Sequence, residues 1–235
     1  MNTEASQTLP DYLPTSPDIV FVGINPGVYS AQRGHYYARA TNRFWWALYA
    51  AGLIPVPLAA AEDFRVVEFG LGLTDLVKRP THSAAQVRGD EFAQGCRELA
   101  AKMQRVQPLI VCFNGLTGYH QFFQEPAQPG IQTRLIAAAR VFVVPSTSAR
   151  NAAYPREVIL SYFRELKMLR DELRKRRERG SNPDDIEISG TGRGGSQDTP
   201  SHVRSSGSCI IGLFAAHRDD RVRALNILAA GCLAG

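Results

Sequence analysis

Apolar positions in this chain follow two patterns, short unbroken runs and stripes at helical spacing. Ile19 to Val22 is a run of four, ended abruptly by Gly23 and Asn25-Pro26-Gly27, as in a buried strand that enters a tight turn. Leu109–Phe113 ends the same way at Asn114-Gly115, and Val141–Val144 runs into P-S-T-S-A-R-N at Pro145–Asn151. Between these runs lie the stripes. Phe44, Trp45 and Leu48 share one face of a helix from about Arg43 to Ala51, with Thr41 or Asn42 as cap and Gly52 as stop. Phe92, Cys96, Leu99, Met103 and Val106 step by four and three through Asp90–Val106, and Thr117–Phe123 reads as another helix. Pro155 opens a long helix to about Arg179 with Val158, Ile159, Tyr162, Leu166, Leu169 and Leu173 inward. In Val66–Val77 glycines alternate with apolar residues, which predicts a short strand or bent turn near a sheet edge. Residues 28–40 read as a loop whose three tyrosines and one histidine suit the wall of a site.

Short apolar strands alternating with helices predict an α/β fold, a parallel sheet covered on both faces. Ligands of such sheets sit at the carboxyl ends of the strands. Two stretches fall outside this core. Met1–Pro17 is a polar leader with three prolines, expected to be extended, and 180–208 holds six Gly, seven Ser and two Pro in 29 residues, too little apolar surface to offset ordering. A disordered linker is expected there. The tail at 209–235 has apolar pieces around a charged centre, enough for a short helix or two, with no assigned function.

Composition narrows the class. Hydrophobic residues make up 44% of 235, ample for a core, and neither a membrane-length apolar run nor a secretory h-region is present. The expectation is an intracellular protein without a membrane role, nuclear in a eukaryote and cytoplasmic in a bacterium. The four cysteines are scattered and stand in no metal-binding spacing, so Cys96 and Cys112 read as core residues. The net charge of +5 is uneven: residues 1–179 carry 22 cations and 16 anions, residues 180–235 carry 5 and 6. A basic front domain suits a phosphate-backbone partner. The basic helix end R-K-R-R-E-R is equally consistent with phosphate contact and with a solvated helix terminus.

Two strand-end loops carry the candidate chemistry. The first offers Asn25, Gly27, Ser30, Tyr37 and Asn42, and the second Ser146, Thr147, Ser148 and Arg150. Signatures for dinucleotide, nucleoside triphosphate, serine-hydrolase and metal chemistry are missing, which leaves amides, hydroxyls and aromatic rings. Asn25 can hold a water and a polar substrate group at once, or merely cap its turn.

Six segments carry a family resemblance: G-I-N-P-G at Gly23–Gly27, G-H-Y-Y at Gly34–Tyr37, N-R-F-W at Asn42–Trp45, G-L-T-D-L-V at Gly72–Val77, Q-P-L-I-V-C-F-N-G at Gln107–Gly115 and V-P-S-T-S-A-R at Val144–Arg150. In order and spacing they resemble the mismatch-specific uracil/thymine DNA glycosylases, a branch of the uracil-DNA glycosylase superfamily, over about Asp18 to Arg177. The resemblance implies a three-layer α/β/α sandwich with a short, mainly parallel central sheet. It also implies a monomeric enzyme that flips uracil, with thymine as a further candidate, from opposite guanine in double-stranded DNA and hydrolyses the N-glycosidic bond without metal or cofactor. By position Asn25 is the catalytic residue that orients water; a neutral amide takes up no proton, so its part is positioning. Tyr37 stacks on the flipped base, and Ile24, Gly27, Ser30 and Asn42 belong to the base pocket. Thr74 is either a pocket hydroxyl or part of a core turn. Ser146, Thr147 and Ser148 contact DNA phosphates, while Ala149 and Arg150 fill the gap in the stack, or Arg150 binds a phosphate instead. Two positions depart from the pattern: Tyr36 stands where a relative acting on oxidised methylcytosines has a second histidine, and Leu116 where a lysine is common. Two other readings remain: a non-catalytic reader of G·U or G·T mismatches, and an unrelated phosphate-binding module, although Asp18–Ser30 holds no Lys or Arg for a phosphate cradle.

Overall fold

A computed structural model describes residues 8–180, so the linker and tail expected beyond Gly180 lie outside the described residues. Five strands form one sheet: β1 (Ile19–Gly23), β2 (Leu71–Asp75), β3 (Ile110–Asn114), β4 (Gly130–Ile136) and β5 (Ala139–Val144). Their order is β2-β1-β3-β5-β4, parallel except for β4, which runs antiparallel to β5. Five α-helices, α1 (Val28–Arg33), α2 (Phe44–Ala50), α3 (Gly89–Val106), α4 (Leu116–Phe123) and α5 (Arg156–Gly180), and two 3-10 helices at Ala60–Phe69 and Ala84–Gln86 accompany the sheet.

Every residue of β1 is buried because alternate side chains enter different cores. Ile19 and Phe21 join Phe44, Leu48, Phe163 and Leu166 under α2 and α5, whereas Val20 and Val22 join Leu99, Met103 and Tyr119 under α3 and α4. That is the three-layer sandwich, and it explains why the strands read as continuous apolar runs. Each such large apolar side chain contributes roughly 1.5–3 kcal/mol by burial.

Three local departures have physical causes. α1 forms where a loop was expected; its six residues carry too little stripe to be read, and Gly34, at φ 72°, ends it. The edge strand β4 gave no signal because most of it is exposed or half-buried and polar, and its hairpin turns through Ala137 at φ 52° without Gly or Asn. The buried stripe of α5 is Ile159, Phe163, Leu166 and Arg170, with Tyr162, Leu169 and Leu173 flanking it. Arg170 is tolerated there because it donates to the Leu53 carbonyl at 3.1 Å and pairs with Asp171.

From Thr8 onward the leader packs on the domain. Tyr12 and Leu73 exchange backbone hydrogen bonds of 3.0 and 2.8 Å, which covers the exposed edge of β2. A Cβ at Gly72 would lie 2.9 Å from the Tyr12 carbonyl oxygen, so this approach requires glycine. The basic end of α5 meets the opposite pole, where Arg174 and Arg177 reach the buried Asp18 just before β1 at 3.4 and 2.9 Å. Among the described residues no helix is long and apolar enough to cross a membrane.

Candidate active site

The carboxyl ends of β1 and β2 open into a pocket of about 390 Å³, in the range of small-molecule sites. Asn25 lies at its edge, two residues past the end of β1. Its Nδ2 donates to the Arg79 carbonyl at 2.9 Å and to Thr81 Oγ1 at 2.8 Å. The Thr81 hydroxyl donates its own proton to the Ser83 carbonyl at 2.8 Å, so its oxygen can only accept from Asn25. This chain of bonds fixes which end of the amide is nitrogen and leaves Oδ1 as the acceptor available to the pocket. Thr81 is in turn held by its backbone, which bonds Pro26 and Val28 at 3.1 and 3.2 Å. Sequence patterns did not single out Thr81; its one signal was a hydroxyl directly after Pro80, close behind the G-L-T-D-L-V segment.

The pocket floor comes from the tyrosine-rich segment. Tyr37 adopts φ 52°, and its ring packs 4.0 Å from that of Phe44, with the hydroxyl buried beneath. Desolvation and the nearby Asp75 push its phenol well above the ordinary range. The turn is held by the fully buried Asp63, whose carboxylate accepts from the Tyr36 backbone N–H at 2.8 Å and lies 3.2 Å from His35 Nδ1. Gly27, Ser30 and Asn42 line the same pocket. Asn42 Oδ1 caps α2 by accepting from the Phe44 N–H at 3.0 Å, which leaves its amide nitrogen toward the cavity.

Two expected pocket residues are elsewhere. Thr74 is fully buried and donates to Asp11 at 2.6 Å; paired with Val22, it faces the α3/α4 side of the sheet and belongs to the core. Ile24 packs into that same core instead of lining the cavity. The neighbour of Thr74 in β2, Asp75, points the other way and lines the pocket; it falls within the G-L-T-D-L-V segment, but the sequence assigned it no role. Burial pushes its carboxyl up to about 7, with Lys78 and Lys102 opposing and Asp11 adding to the shift.

In the second loop Ser148, Ala149 and Arg150 line the pocket, whereas Ser146 and Thr147 stand behind it. Thr147 is 1% exposed and locked to Asn114 through bonds of 2.9 and 3.0 Å, so its side chain braces the loop and is not available to DNA. Ser146 is half-buried and its Oγ accepts from the Ser148 N–H at 3.4 Å. Arg43 organises the whole turn: its guanidinium donates to the carbonyls of Ser146, Thr147, Ser148, Asn151 and Tyr154, at distances from 2.6 to 3.4 Å. No sequence pattern announces that role, because all its partners are backbone groups more than a hundred residues away. Arg150 crosses the mouth and donates to the His82 carbonyl at 2.9 Å. Elsewhere on the pocket lining, Arg39 holds its guanidinium 4.7 Å from the ring centre of Tyr29, and Arg33 lies 5.4 Å from the same ring.

Such a pocket suits a flat polar ring entering from a polyanion. It has an aromatic floor, an oriented amide at its edge and arginines around its mouth. A structure solved by NMR in solution, that of a candidate uracil DNA glycosylase from Methanosarcina acetivorans, is similar at 19% identity and a TM-score of 0.49, over 69% of this chain and 98% of that one. The family described as the uracil DNA glycosylase superfamily matches residues 10–167, which takes in most of the packed leader, both site loops and about the first half of the final helix. On that match, the chain belongs to the uracil DNA glycosylase superfamily.

Proposed function

We propose that the chain is a mismatch-specific, monofunctional DNA glycosylase that releases uracil, with thymine as a further substrate, from opposite guanine in double-stranded DNA, acting as a monomer at the start of base excision repair. The observation that carries this reading is the amide of Asn25, held by the Arg79 carbonyl and Thr81 at the edge of a pocket floored by Tyr37. The C1′–N1 bond breaks with its electron pair leaving on the base, and water adds to C1′ and gives up a proton to solvent. Asn25 Oδ1 accepts a hydrogen bond from that water and so aims its oxygen, without becoming protonated. Tyr37 stacks on the base, Ser148 bonds a flanking phosphate, and Ala149 and Arg150 occupy the gap left in the duplex.

The site loops offer no amine nucleophile for covalent lyase chemistry, which supports an abasic-site product with an intact strand. The test is G·U, G·T and A·U duplexes incubated in EDTA, with and without later alkali. Breaks that need alkali, at G·U and more slowly at G·T, are expected. Strand breaks without alkali would sink the monofunctional claim, and equal release from A·U the mismatch claim.

A further inference from the structure

Asp75 is only 5% exposed, lines the pocket, and has an Oδ2 that is shielded from solvent and has no hydrogen-bond partner among the described residues. The nearby cations do not account for it. Lys78 and Lys102 both engage Asp11, the latter at 2.8 Å, rather than Asp75. The hydroxyls of Tyr36 and Tyr37 lie nearby, and Arg39, His82 and Arg150 line the same pocket. A Cβ at Gly23 would sit 2.2 Å from Asp75 Oδ1, so a glycine keeps room for this carboxyl across the end of β1. An unpaired buried carboxyl is costly, and one that forms part of a ligand cavity is placed to be satisfied by the ligand.

Depth in the pocket decides which part of a ligand it meets. Gly23 is in register with Asp75, and Asn25 lies two residues farther along the chain, past the end of β1 and so no more than roughly 7 Å on. On the glycosylase reading above, the sugar carbon stays beside Asn25. The base edge remote from that carbon, N3 and its 4-substituent, therefore sits at the level of Asp75. We infer that Asp75 is a specificity-determining residue: its carboxylate accepts the N3–H of uracil-type pyrimidines and repels the N3 lone pair of cytosine-type ones. The substrate class is thus the imide pyrimidines, uracil, thymine and 5-substituted uracils, and amino pyrimidines are excluded.

The two charge states of Asp75 make different predictions. An ionised carboxylate only accepts, which suits the imide and opposes cytosine N3. A protonated carboxyl both donates and accepts, so it can pair with either base. Discrimination should therefore be strong above the point to which burial pushes this group, about 7, and weak below it. Asn at 75 also donates and accepts, and should behave as the protonated acid does at every pH.

The experiment measures equilibrium binding to duplexes holding 2′-fluoro-2′-deoxyuridine or 2′-fluoro-2′-deoxycytidine opposite guanine, nucleosides whose glycosidic bond resists hydrolysis, at pH 6 and pH 8. Wild type should prefer the uridine duplex by about tenfold more at pH 8 than at pH 6, the worth of one good edge contact. Asp75→Asn should lower the pH 8 preference to the wild-type pH 6 level and show no pH dependence. The extra cost of opening a G·C pair is common to both proteins and does not enter the comparison. A wild-type preference that is the same at both pH values would overturn the inference without any variant, as would an Asp75→Asn protein that keeps the preference. Ordinary uracil release from G·U, measured alongside, tests the glycosylase reading separately. Folding of the variant has its own signature. A carboxyl raised in the folded state stabilises least when ionised, so wild-type stability from this group falls as pH rises from the ordinary carboxylate range toward about 7. Asp75→Asn should lack that fall, and its melting temperature should gain on wild type between pH 5 and pH 8.

Discussion

The two poles of the sheet carry the same kind of cation under opposite conditions. At the amino ends of the strands, Arg174 and Arg177 converge on Asp18, which is 4% exposed, and Arg177 also donates to the Ser16 carbonyl at 3.3 Å. At the carboxyl ends, Arg39 rests over Tyr29 and Arg150 bonds a carbonyl, and neither has a carboxylate partner among the described residues. One pole spends its charge on holding the leader and the last helix to the sheet. The other holds its guanidiniums in place with contacts that leave the charge intact, which is what a phosphate requires. The basic excess counted along the sequence thus divides by pole, and R-K-R-R-E-R, its densest run, lies away from the pocket.

The largest expected effect is at the pocket pole. Asn25→Ala should slow base release from G·U at least about a hundredfold, ~2.7 kcal/mol, because an aimed water is lost from the transition state. Affinity for the same duplex should stay within a few-fold, since phosphates supply most of it. Single-turnover release beside gel-shift titration separates the two; a variant that keeps more than a tenth of the wild-type rate would remove Asn25 from its role.

Next is Arg43, on which the second loop depends. Arg43→Ala leaves five carbonyls without their shared donor, and hydrogen bonds to a charged group are worth about 1.5–3 kcal/mol each before water replaces them. We expect a stability loss of about 2–3 kcal/mol in urea titration, together with weaker duplex binding. Arg43→Lys should rescue neither, because an ammonium cannot reproduce the planar fork. Full rescue by lysine would mean that the charge alone shapes the loop.

These two residues mark what the sequence made legible. The strands β1, β3 and β5 and the helices α2 to α5 were readable because burial on both sheet faces and helical spacing leave their imprint within a few adjacent residues. Tyr37, Ser30, Gly27, Asn42 and Arg150 came from motif resemblance, and all five line the pocket. Arg43, Asp63 and Thr81 escaped because each acts on groups brought close only by folding. Thr74 and Asp75 show the finest limit. Adjacent polar residues on an edge strand point to opposite faces, and nothing local told which face would be the pocket.

A smaller effect separates two roles for Arg150. Its span from the second loop to the His82 carbonyl puts it across the pocket mouth, where it can fill the gap behind a flipped base. Arg150→Ala should slow uracil release from G·U duplex about tenfold, ~1.4 kcal/mol, and release from single-stranded DNA much less, since no stack has to be opened there. Equal slowing on both would identify an ordinary phosphate contact.

The smallest effect tests the contrast between the poles itself. Lys175, Arg176 and Arg179 are exposed on the last turns of α5, and among the described residues Arg176 pairs within its own helix, with Glu172. α5 runs 25 residues, roughly 37 Å at helical rise, from the second loop to the Asp18 pole. Three cations so placed cannot touch phosphates near a nucleotide bound at Asn25, and over such a distance physiological salt screens them, the Debye length being about 8 Å. Replacing all three with alanine removes three positive charges, yet the dependence of duplex affinity on salt should keep its slope. The double variant Arg39→Ala with Arg150→Ala removes only two, and should flatten that slope by about one to two, at roughly 0.9 for each phosphate that is no longer neutralised. If the triple variant flattened the slope as much, DNA would run along the last helix as well, and the pole bound to Asp18 would be part of the nucleic-acid surface rather than a brace for the fold.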